Sequence, residues 1–495
     1  MKLLDDPALD RAATLVRWQT KDPANDGAFL VGVLSTGIYC LPSCGARKPK
    51  DENVRFFLDE EGARRGGLRA CKRCRPDRFY RGHDPDRECL ERVVERVRRA
   101  PGEFAGTADL RDAVGVGATK LNELFRRHYH ATPAATLQRA RLDAAARELL
   151  GGKRRILDVA LDVGFESASA FHEGFLARFS LPPGAYRKLA RASGFELVLP
   201  ADYRREDAFG MFGRDEDGRT ERVNGSVATK ALLLDGEPCL LELRFARGRV
   251  RASVHGARPP SPAAMAQAHE AARRMLGLGV DPKPFERRMR RARGLGRLVQ
   301  GRSGLRIPLT ADAFEGLVWV VVGQQVNVTF AATCRARLIE LAGRRVPVGD
   351  GFRVHPTPAE VARVDRADLE ALQFSRRKAE YVLDTARSIA AGELDLEGLR
   401  RAPAGRTEET LGAVRGLGPW SVNYLLMRSF GLEDCVPVGD VALVQALQNF
   451  FALGERPDAR RTVELMEAFA PFRSLATFHL WRTFSQDTRG RGDTR

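Results

Sequence analysis

The stretch Val414-Arg415-Gly416-Leu417-Gly418-Pro419 sets the architecture of the C-terminal half of this 495-residue chain. It has the apolar-x-Gly-apolar-Gly pattern of a hairpin and lies between two helical patterns, at 408–414 and 419–430. Pro419 stands first in the second helix, where its missing N–H is harmless, and the glycines let backbone N–H groups approach a phosphate closely. Taken alone, the hairpin does not identify a function, because any connector between two helices can use two glycines.

A single acidic residue follows the hairpin. Asp440 lies in the strip Val436-Pro437-Val438-Gly439-Asp440, 22 positions after Gly418. The hairpin, the Gly/Pro-rich strip and this one Asp together resemble the helix-hairpin-helix base-excision glycosylases, and the wider stretch 194–485 resembles their alkyl-purine branch, the 3-methyladenine DNA glycosylase II type. The resemblance implies that Asp440 is catalytic and that Gly416 and Gly418 contact DNA.

The residues around the hairpin distinguish this branch from its relatives. A lyase-type member carries a lysine nucleophile directly after the hairpin, where this chain has Pro419-Trp420. An iron–sulfur member needs four C-terminal cysteines, and here only Cys435 follows the hairpin. We therefore expect a monofunctional glycosylase with water as the final nucleophile. Asp440 then either stabilises the cationic sugar or activates the water, and the sequence does not separate these roles.

An aromatic pocket is the expected partner of an alkylated purine. Such a base is already cationic, so it leaves without a strong general acid and suits an electron-rich pocket through stacking and cation–π attraction. Trp420, Tyr424 and Trp481 match the family's pocket positions, although each could equally be a core residue. Gln325 matches the DNA-contacting wedge that fills the gap left by a flipped base, a position that is commonly leucine. Met211 stands near a position where the family offers an aromatic residue.

Two helix-turn-helix patterns precede this half, within a helical region at 84–191. The first covers 107–127, with a turn at Gly115-Val116-Gly117, and the second contains Val163-Gly164-Phe165-Glu166-Ser167. The alternative for this region is a plain helical connector, but the pair resembles the DNA-binding domain of AraC-type transcription regulators. The second helix of each unit is expected to enter the major groove. By position the base-reading candidates are Thr119, Lys120 and Asn122 in the first unit and Ser167, Ser169 and His172 in the second.

Four of the eight cysteines cluster near the N-terminus. Three residues lie between Cys40 and Cys44, two between Cys71 and Cys74, and 26 between the two pairs. Two such pairs can close a tetrahedral zinc–thiolate site. The alternatives are a redox dithiol, which explains only the second pair, and cysteines that are buried by coincidence.

The sequence around these cysteines resembles that of the zinc domain of the Ada adaptive-response proteins. The match includes Thr36-Gly37-Ile38-Tyr39-Cys40-Leu41-Pro42-Ser43-Cys44-Gly45-Ala46-Arg47 and Cys71-Lys72-Arg73-Cys74. The resemblance implies one Zn²⁺ in a four-cysteine site, with Cys40 as both ligand and nucleophile toward a methylated DNA phosphate, and Arg47 among the DNA contacts. Four thiolates around one divalent cation leave surplus negative charge. Methylation of Cys40 would reduce that charge, and our hypothesis is that it tightens DNA binding.

Composition supports a partner that is a polyanion. The chain has 81 Lys and Arg against 64 Asp and Glu, a formal charge of +17. Positive side chains that neutralise DNA phosphates release counterions, and this release increases the affinity for DNA. The alternative is a solubility charge on a metabolic enzyme. Eight arginines crowd residues 287–306, where we expect a solvated helix face with phosphate contact for a minority. No apolar run reaches the ~18 residues of a membrane span, and because the start turns acidic at Asp5 and Asp6 we expect no signal peptide.

The sequence therefore predicts a multidomain chain, mainly α with α+β parts. The expected parts are a zinc-binding methyl-acceptor domain (1–82), a double helix-turn-helix domain (84–191), a small mixed α/β domain (194–305), an all-α helix-hairpin-helix glycosylase domain (306–485) and a disordered tail (486–495). The implied function is response to DNA alkylation, combining base excision, methyl transfer to Cys40 and transcription regulation. The alternative is a regulator that senses DNA methylation with a catalytically idle, DNA-clamping C-terminal half.

Partners and location follow from the same resemblance. We expect double-stranded DNA, both alkylated and promoter, as the main partner, RNA polymerase as a further one, no membrane, and a monomeric state. The expected location is the bacterial cytoplasm, with action at the nucleoid.

Overall fold

The computed structural model describes residues 5–79, 85–212, 215 and 217–490. The chain divides into two compact units, one of Met1–Glu95 with Arg111–Gly117 and the other of Arg96–Leu110 with Ala118–Arg495. Within the part of the chain that is described, no helix combines the length and apolar character that crossing a bilayer requires.

The first unit is built on a small sheet with short helices. Its elements are α1 (Arg11–Gln19), β1 (Leu30–Val33), β2 (Ile38–Cys40), β3 (Val54–Phe57), α2 (Glu60–Arg65), β4 (Arg69–Ala70), α3 (Pro76–Phe79) and the start of α4 (Pro85–Arg99). The strand order is β3-β1-β2-β4, with only the β2–β4 pair parallel. Successive side chains point to opposite faces, so Leu30 and Phe57 join one apolar cluster while Val31 and Phe56 join another.

Helices of the helix-turn-helix region follow. They are α5 (Thr107–Val114), α6 (Ala118–Tyr129), α7 (Pro133–Leu149), α8 (Ile156–Asp162), α9 (Ala168–Phe179) and α10 (Pro183–Lys188). The apolar side chains that these helices bury are Leu121, Leu124 and Phe125 on α6 and Phe171, Phe175 and Phe179 on α9.

A second sheet begins directly after α10. This part contains β5 (Gly194–Val198), α11 (Arg205–Phe212), β6 (Glu221–Asn224), β7 (Val227–Leu234), β8 (Glu237–Ala246), β9 (Arg249–His255), α12 (Pro262–Met275) and α13 (Lys283–Arg291). All pairs in the order β5-β9-β8-β7-β6 are antiparallel. Asp235-Gly236 forms the turn between β7 and β8, and both residues have positive φ, as a two-residue hairpin turn of this kind requires.

The helix-turn-helix region and this sheet share one hydrophobic core. Phe175, Phe179 and Tyr186 belong to the same buried cluster as Leu241 and Met265. A hydrogen bond also joins the ring of His269 on α12 to the carbonyl oxygen of Phe179, at 2.7 Å. The predicted boundary at 191–194 is therefore a change of secondary structure inside a continuous core.

The C-terminal part is helical. Its elements are α14 (Ala313–Gly323), α15 (Val328–Ala342), α16 (Pro358–Val361), α17 (Arg366–Ala371), α18 (Arg376–Ala390), α19 (Leu396–Leu399), α20 (Ala404–Gly412), α21 (Pro419–Leu425), a π-helical turn (Leu426–Phe430), α22 (Val441–Phe451), α23 (Ala459–Met466) and α24 (Arg473–Gly490). Phe285 and Met289 of α13 pack with Leu443 and Met466, so α13 belongs to the core of these helices although it precedes the predicted boundary at 306.

The last helix continues further than the sequence predicted. We expected disorder from Gln486, but α24 runs to Gly490. Gln and Arg are good helix formers, so a helix that has already started is extended through Gln486 and Arg489. Residues 491–495 lie outside the described residues.

Candidate functional site

Asp440 occupies the N-cap of α22. Its backbone has φ −68° and ψ 118°, and its Oδ1 accepts a hydrogen bond from the N–H of Leu443 at 2.8 Å. Asp is among the strongly preferred N-cap residues because its side chain satisfies one of the open N–H groups of the first turn. The cap fixes where the carboxylate lies, half-buried at the start of the helix.

Two indole rings hold the same carboxylate. Nε1 of Trp420 donates to Oδ2 of Asp440 at 3.0 Å, and Nε1 of Trp481 donates to Oδ1 at 2.8 Å. Indole N–H groups only donate, so both oxygens serve as acceptors. The structure thus brings together two of the three predicted pocket residues and the predicted catalytic carboxylate.

Tyr424 joins the two indoles into one aromatic group. Its ring centroid lies 5.5 Å from that of Trp420 and 5.9 Å from that of Trp481, with interplanar angles of 40° and 35°. Trp420 and Tyr424 lie one turn apart on α21 and therefore on the same face, whereas Trp481 comes from α24. We call Trp420, Tyr424, Trp481 and Asp440 the aromatic–carboxylate cluster. All four are half-buried, and the cluster can stack a flat base and place negative charge beside it.

The hairpin before α21 has the conformation that its glycines permit. Gly416 has φ +92°, and a Cβ there would lie 2.4 Å from the ring of Tyr381. Gly418 is the N-cap of α21 and makes no side-chain cap hydrogen bond. Because no side chain occupies the first N–H groups of α21 at this cap, they can face a phosphate.

Gln324 has a role that the sequence analysis missed. Its Nε2 donates to the carbonyl oxygen of Gly416 at 2.7 Å and to Oγ of Ser421 at 3.1 Å, and so it ties the end of α14 to the hairpin. The neighbouring Gln325 is exposed and has φ +56°, an uncommon conformation for a residue with a Cβ. Nothing in the sequence distinguished the two glutamines, because their difference arises from the fold.

Most of the base-reading candidates are exposed at the starts of two helices. Thr119, Lys120 and Asn122 are exposed on α6, and the Asn122 amide donates to the carbonyl oxygen of Ala118. Ser169 and His172 are exposed on α9. Ser167 is the N-cap of α9, where its Oγ accepts from the N–H of Ala170 at 3.2 Å, so it already has a structural role.

The four clustered cysteines converge in the first unit. The Sγ atoms of Cys40, Cys44, Cys71 and Cys74 all lie within 4.8 Å of one another. Tetrahedral zinc with Zn–S bonds of 2.3 Å sets sulfurs about 3.8 Å apart, so the donor set and its spacing fit one Zn²⁺. Hydrogen bonds from Cys40 and Cys74 hold the pKa of the Cys44 thiol well below its ordinary value, whereas hydrogen bonds with Cys44 and Cys74 raise the pKa of Cys40. Cys40 is only 8% exposed, whereas Cys44 is half-buried.

The predicted arginine-rich face is divided. The exposed arginines of this run include Arg287, Arg288, Arg291 and Arg293, in or just after α13. Arg47, which follows the first cysteine pair, is also exposed. Other members of the run make contacts within the protein. Arg306 is buried and pairs with Asp202, whereas Arg297 and Arg290 are exposed and contact the carbonyl oxygen of Phe450 and the carboxylate of Glu286. The side chain of Met211 lies outside the described residues.

A buried charged network was also missed. Lys230 of β7, Glu221 of β6, Glu315 of α14 and Arg335 of α15 form ion pairs in the interior. The available signal was a charged residue inside an apolar segment, such as Lys230 in Val227–Leu234. Such a residue is almost never buried unless it is paired, but the sequence does not say with what.

Three family models match the chain in order. The metal binding domain of Ada matches residues 14–77, a helix-turn-helix domain matches 110–189, and the HhH-GPD superfamily of base excision DNA repair proteins matches 318–471. Each match covers one of the three regions to which the sequence assigned separate chemistry.

The similar proteins match different shares of the chain. A probable bifunctional transcriptional activator/DNA repair enzyme AlkA of Mycobacterium tuberculosis is 30% identical over 94% of this chain and 95% of its own length. A DNA-3-methyladenine glycosylase of Bacillus subtilis is 33% identical over 36% of this chain and 59% of its own length. A 3-methyladenine DNA glycosylase structure from Archaeoglobus fulgidus superposes with a TM-score of 0.52 at 22% identity, over 59% of this chain and 98% of that one, and shows a shared fold.

Proposed function

The chain belongs to the family of bifunctional transcriptional activator and DNA repair enzymes of the AlkA type, and we propose that Asp440 and Cys40 carry its two chemical activities. The family gives the chain a zinc-binding Ada-type methyl-acceptor part, a DNA-binding regulator part and a 3-methyladenine-type DNA glycosylase part. The roles of individual residues are our proposal, and the observation that carries it for base excision is the Asp440 carboxylate held by two indoles.

In base excision, the aromatic–carboxylate cluster binds the flipped alkylated base. The rings of Trp420, Tyr424 and Trp481 stack against the cationic base. As the bond between base and sugar breaks, its electron pair stays with the base and positive charge develops on the sugar, which the Asp440 carboxylate stabilises. Water then adds to the sugar carbon and loses a proton.

The hydrogen bonds on Asp440 favour this ionic role over a role as general base. Three N–H donors, from Trp420, Trp481 and Leu443, occupy its two oxygens. Because a carboxylate offers about four acceptor sites, these donors leave only one, on Oδ2, for a water that Asp440 would activate. A carboxylate that keeps them retains its negative charge and its position beside the sugar.

The release of free 3-methyladenine from alkylated DNA tests this role. We expect release by the wild type, and a rate of release lower by about 100-fold or more in Asp440→Asn. The asparagine side chain also has an NH₂ group, which cannot accept the hydrogen bonds that the two indoles donate. An absence of release by the wild type would favour the alternative of an idle, DNA-clamping half. Undiminished release by Asp440→Asn would remove Asp440 from catalysis.

In methyl transfer, Cys40 accepts the methyl group of a methylated DNA phosphate. Bound Zn²⁺ keeps the cysteine thiols deprotonated at neutral pH and makes them nucleophilic. The Sγ of Cys40 forms a bond to the methyl carbon, the bond from that carbon to the phosphate oxygen breaks, and its electron pair stays on the phosphodiester. Cys40 becomes a thioether, and the reaction occurs once per molecule.

Mass spectrometry of peptides identifies the acceptor. After incubation with DNA that carries methylphosphotriesters, we expect one added methyl group on the peptide that contains Cys40 and Cys44, and fragmentation of that peptide should assign it to Cys40. Cys44 is the internal comparison because it is the more exposed of the first pair. A methyl group on Cys44, or on neither, would contradict the assignment. In the same samples, a DNA affinity that does not change on methylation at any salt concentration would contradict the proposed switch in DNA binding.

The regulator part is proposed to read promoter DNA through α6 and α9. Two reading helices in one chain supply two consecutive contacts without a second subunit, which supports action as a monomer. As an activator, the chain is inferred to contact RNA polymerase and to act at the nucleoid, where its DNA substrate lies. Sedimentation on promoter DNA tests the monomer: we expect one chain per site, and two would contradict it.

A further inference from the structure

A cavity adjoins the aromatic–carboxylate cluster. Tyr424 and Trp319 line it, together with charged side chains from the sheet and from α14 and α15: Glu221, Lys230, Glu315 and Arg335. Because Tyr424 belongs to both, the cavity and the aromatic–carboxylate cluster share one wall. A base that stacks on Tyr424 is therefore next to this space.

Four of the five charged side chains that line the cavity are strongly interlinked, and the fifth is Arg428. Oε1 of Glu315 accepts from Nζ of Lys230 and from a guanidinium nitrogen of Arg335, both at 2.6 Å. Glu221 completes the network, at 2.9 Å from Lys230 and 3.2 Å from Arg335. The side chains are almost inaccessible, at 2% for Lys230, 8% for Glu315 and 7% for Arg335. Cations and carboxylates thus neutralise each other.

One atom of this network is left over. Oε2 of Glu315 is buried and has no hydrogen-bond partner among the described residues. A buried carboxylate oxygen without a partner is unfavourable, and such atoms are rare in native proteins. Burial raises the pKa of Glu315, but the adjacent cations Lys230 and Arg335 lower it by more. The carboxylate is therefore charged, and Oε2 is a strong hydrogen-bond acceptor.

The nearby Asp215 shows how this fold satisfies a buried carboxylate that is only structural. Its Oδ2 accepts from the N–H and the hydroxyl of Thr220 and from the N–H of Glu221, at 2.6, 2.9 and 3.2 Å. Glu315 has no such set of donors on Oε2. The Glu315 residue is also part of the lining of the cavity. The difference indicates an acceptor that a ligand completes.

We propose that Oε2 of Glu315 is a specificity-determining acceptor, which receives a hydrogen bond from an N–H group of the base bound against Tyr424. The inference rests on the proposed function and deepens it. Alkylated purines that keep an amino group, as 3-methyladenine does, supply this donor. A purine whose amino nitrogen is closed into a ring, as in 1,N6-ethenoadenine, offers only an acceptor there and leaves Oε2 without a partner. Sites that hydrogen-bond a substrate N–H reject analogues without one.

The substitution Glu315→Gln tests the acceptor. Its amide oxygen can keep the contacts with Lys230 and Arg335 while its NH₂ group turns toward the cavity. We expect kcat/KM for 3-methyladenine release to fall by about 10-fold or more, and that for 1,N6-ethenoadenine to stay constant or rise. The control is Glu221→Gln, because both oxygens of Glu221 already have partners in the network. It should change the two substrates by the same factor. If each variant lowered kcat/KM by the same factor for both substrates, the role of Glu315 would be structural, like that of Glu221. That result would overturn the proposal.

A second measurement separates this proposal from the proposed function. Free 3-methyladenine is titrated into the full-length Asp440→Asn protein, with and without Glu315→Gln. Tryptophan fluorescence is followed, since Trp319 lines the cavity and the rings of Trp420 and Trp481 lie against Tyr424. We expect about 10-fold weaker binding with Glu315→Gln. Binding that depends on Glu315 would support the acceptor even if the wild type released no base. Binding that ignores Glu315 would overturn it even if release proceeds.

Discussion

The hydrogen bond from Trp481 to Asp440 is the contact at which packing and chemistry are most easily separated. Trp481→Phe keeps an aromatic ring against Tyr424 but removes the indole donor that lies 2.8 Å from Oδ1. We expect kcat for 3-methyladenine release to fall by about 10-fold with little change in KM, because a misplaced carboxylate harms the transition state more than base binding. Single-turnover kinetics measure this effect. A variant as fast as the wild type would mean that the ring alone matters.

Three buried histidines predict how stability depends on pH. Burial lowers the pKa of His269 and of His355 to about 4 and that of His479 to about 3, below the 6.5 of an exposed histidine. The unfolded chain therefore binds more protons than the folded one between these values. Their contribution is complete above pH 6.5 and is lost as the pH falls toward 4. Tm should drop between pH 7.5 and pH 5, and a Tm that rises over this interval would contradict the burial of neutral rings.

Among the secondary-structure elements, the hairpin between α20 and α21 offers a matched pair of glycines. Gly416→Ala adds a Cβ at φ +92° and 2.4 Å from the ring of Tyr381, whereas Gly418→Ala adds one at φ −83° with nothing within 4 Å. We expect Gly416→Ala to lower the free energy of unfolding by about 1–3 kcal/mol and to weaken DNA binding. Gly418→Ala should leave stability nearly unchanged. Denaturant titration of both variants is the measurement, and equal stabilities would contradict the conformation of the hairpin.

The local elements were predictable from sequence for a physical reason. The Gly416–Gly418 hairpin, the Asp235-Gly236 turn and the apolar faces of α6 and α9 all depend on residues close together in the chain. The partners of Asp440 were predictable in part, because Trp420 and Trp481 were identified only as pocket positions. The hydrogen bonds that join the three depend on how α21, α22 and α24 pack.

Features that depend on distant pairing were not predictable. Gln324 contacts Gly416 across 92 positions, and Glu315 contacts Lys230 across 85. A neutral glutamine and a charged residue in an apolar run each have many possible partners in a sequence. Only the fold selects one, and the same holds for the core that continues across residues 191–194.

This continuous core links the stability of the regulator and glycosylase parts of the protein. Phe179 belongs to α9, yet its ring lies 6.2 Å from that of His269 on α12 and 4.5 Å from that of Phe175. Phe179→Ala should cost about 3–5 kcal/mol and lower the temperature at which 3-methyladenine release is lost. Leu161→Ala, on α8 and 51% exposed, is the control and should have little effect. Unchanged heat resistance in Phe179→Ala would show that the glycosylase folds independently.

The joined core also has a consequence for the cell's supply of these activities. If α7 to α10 and the sheet β5–β9 unfold together, a protease cannot remove the regulator and leave an intact repair enzyme behind. The numbers of promoter-binding and base-excising molecules then stay equal throughout the lifetime of the protein. A cell that recovers from damage would lose both by the same degradation or dilution, so the end of the transcriptional response would coincide with the decline of repair capacity.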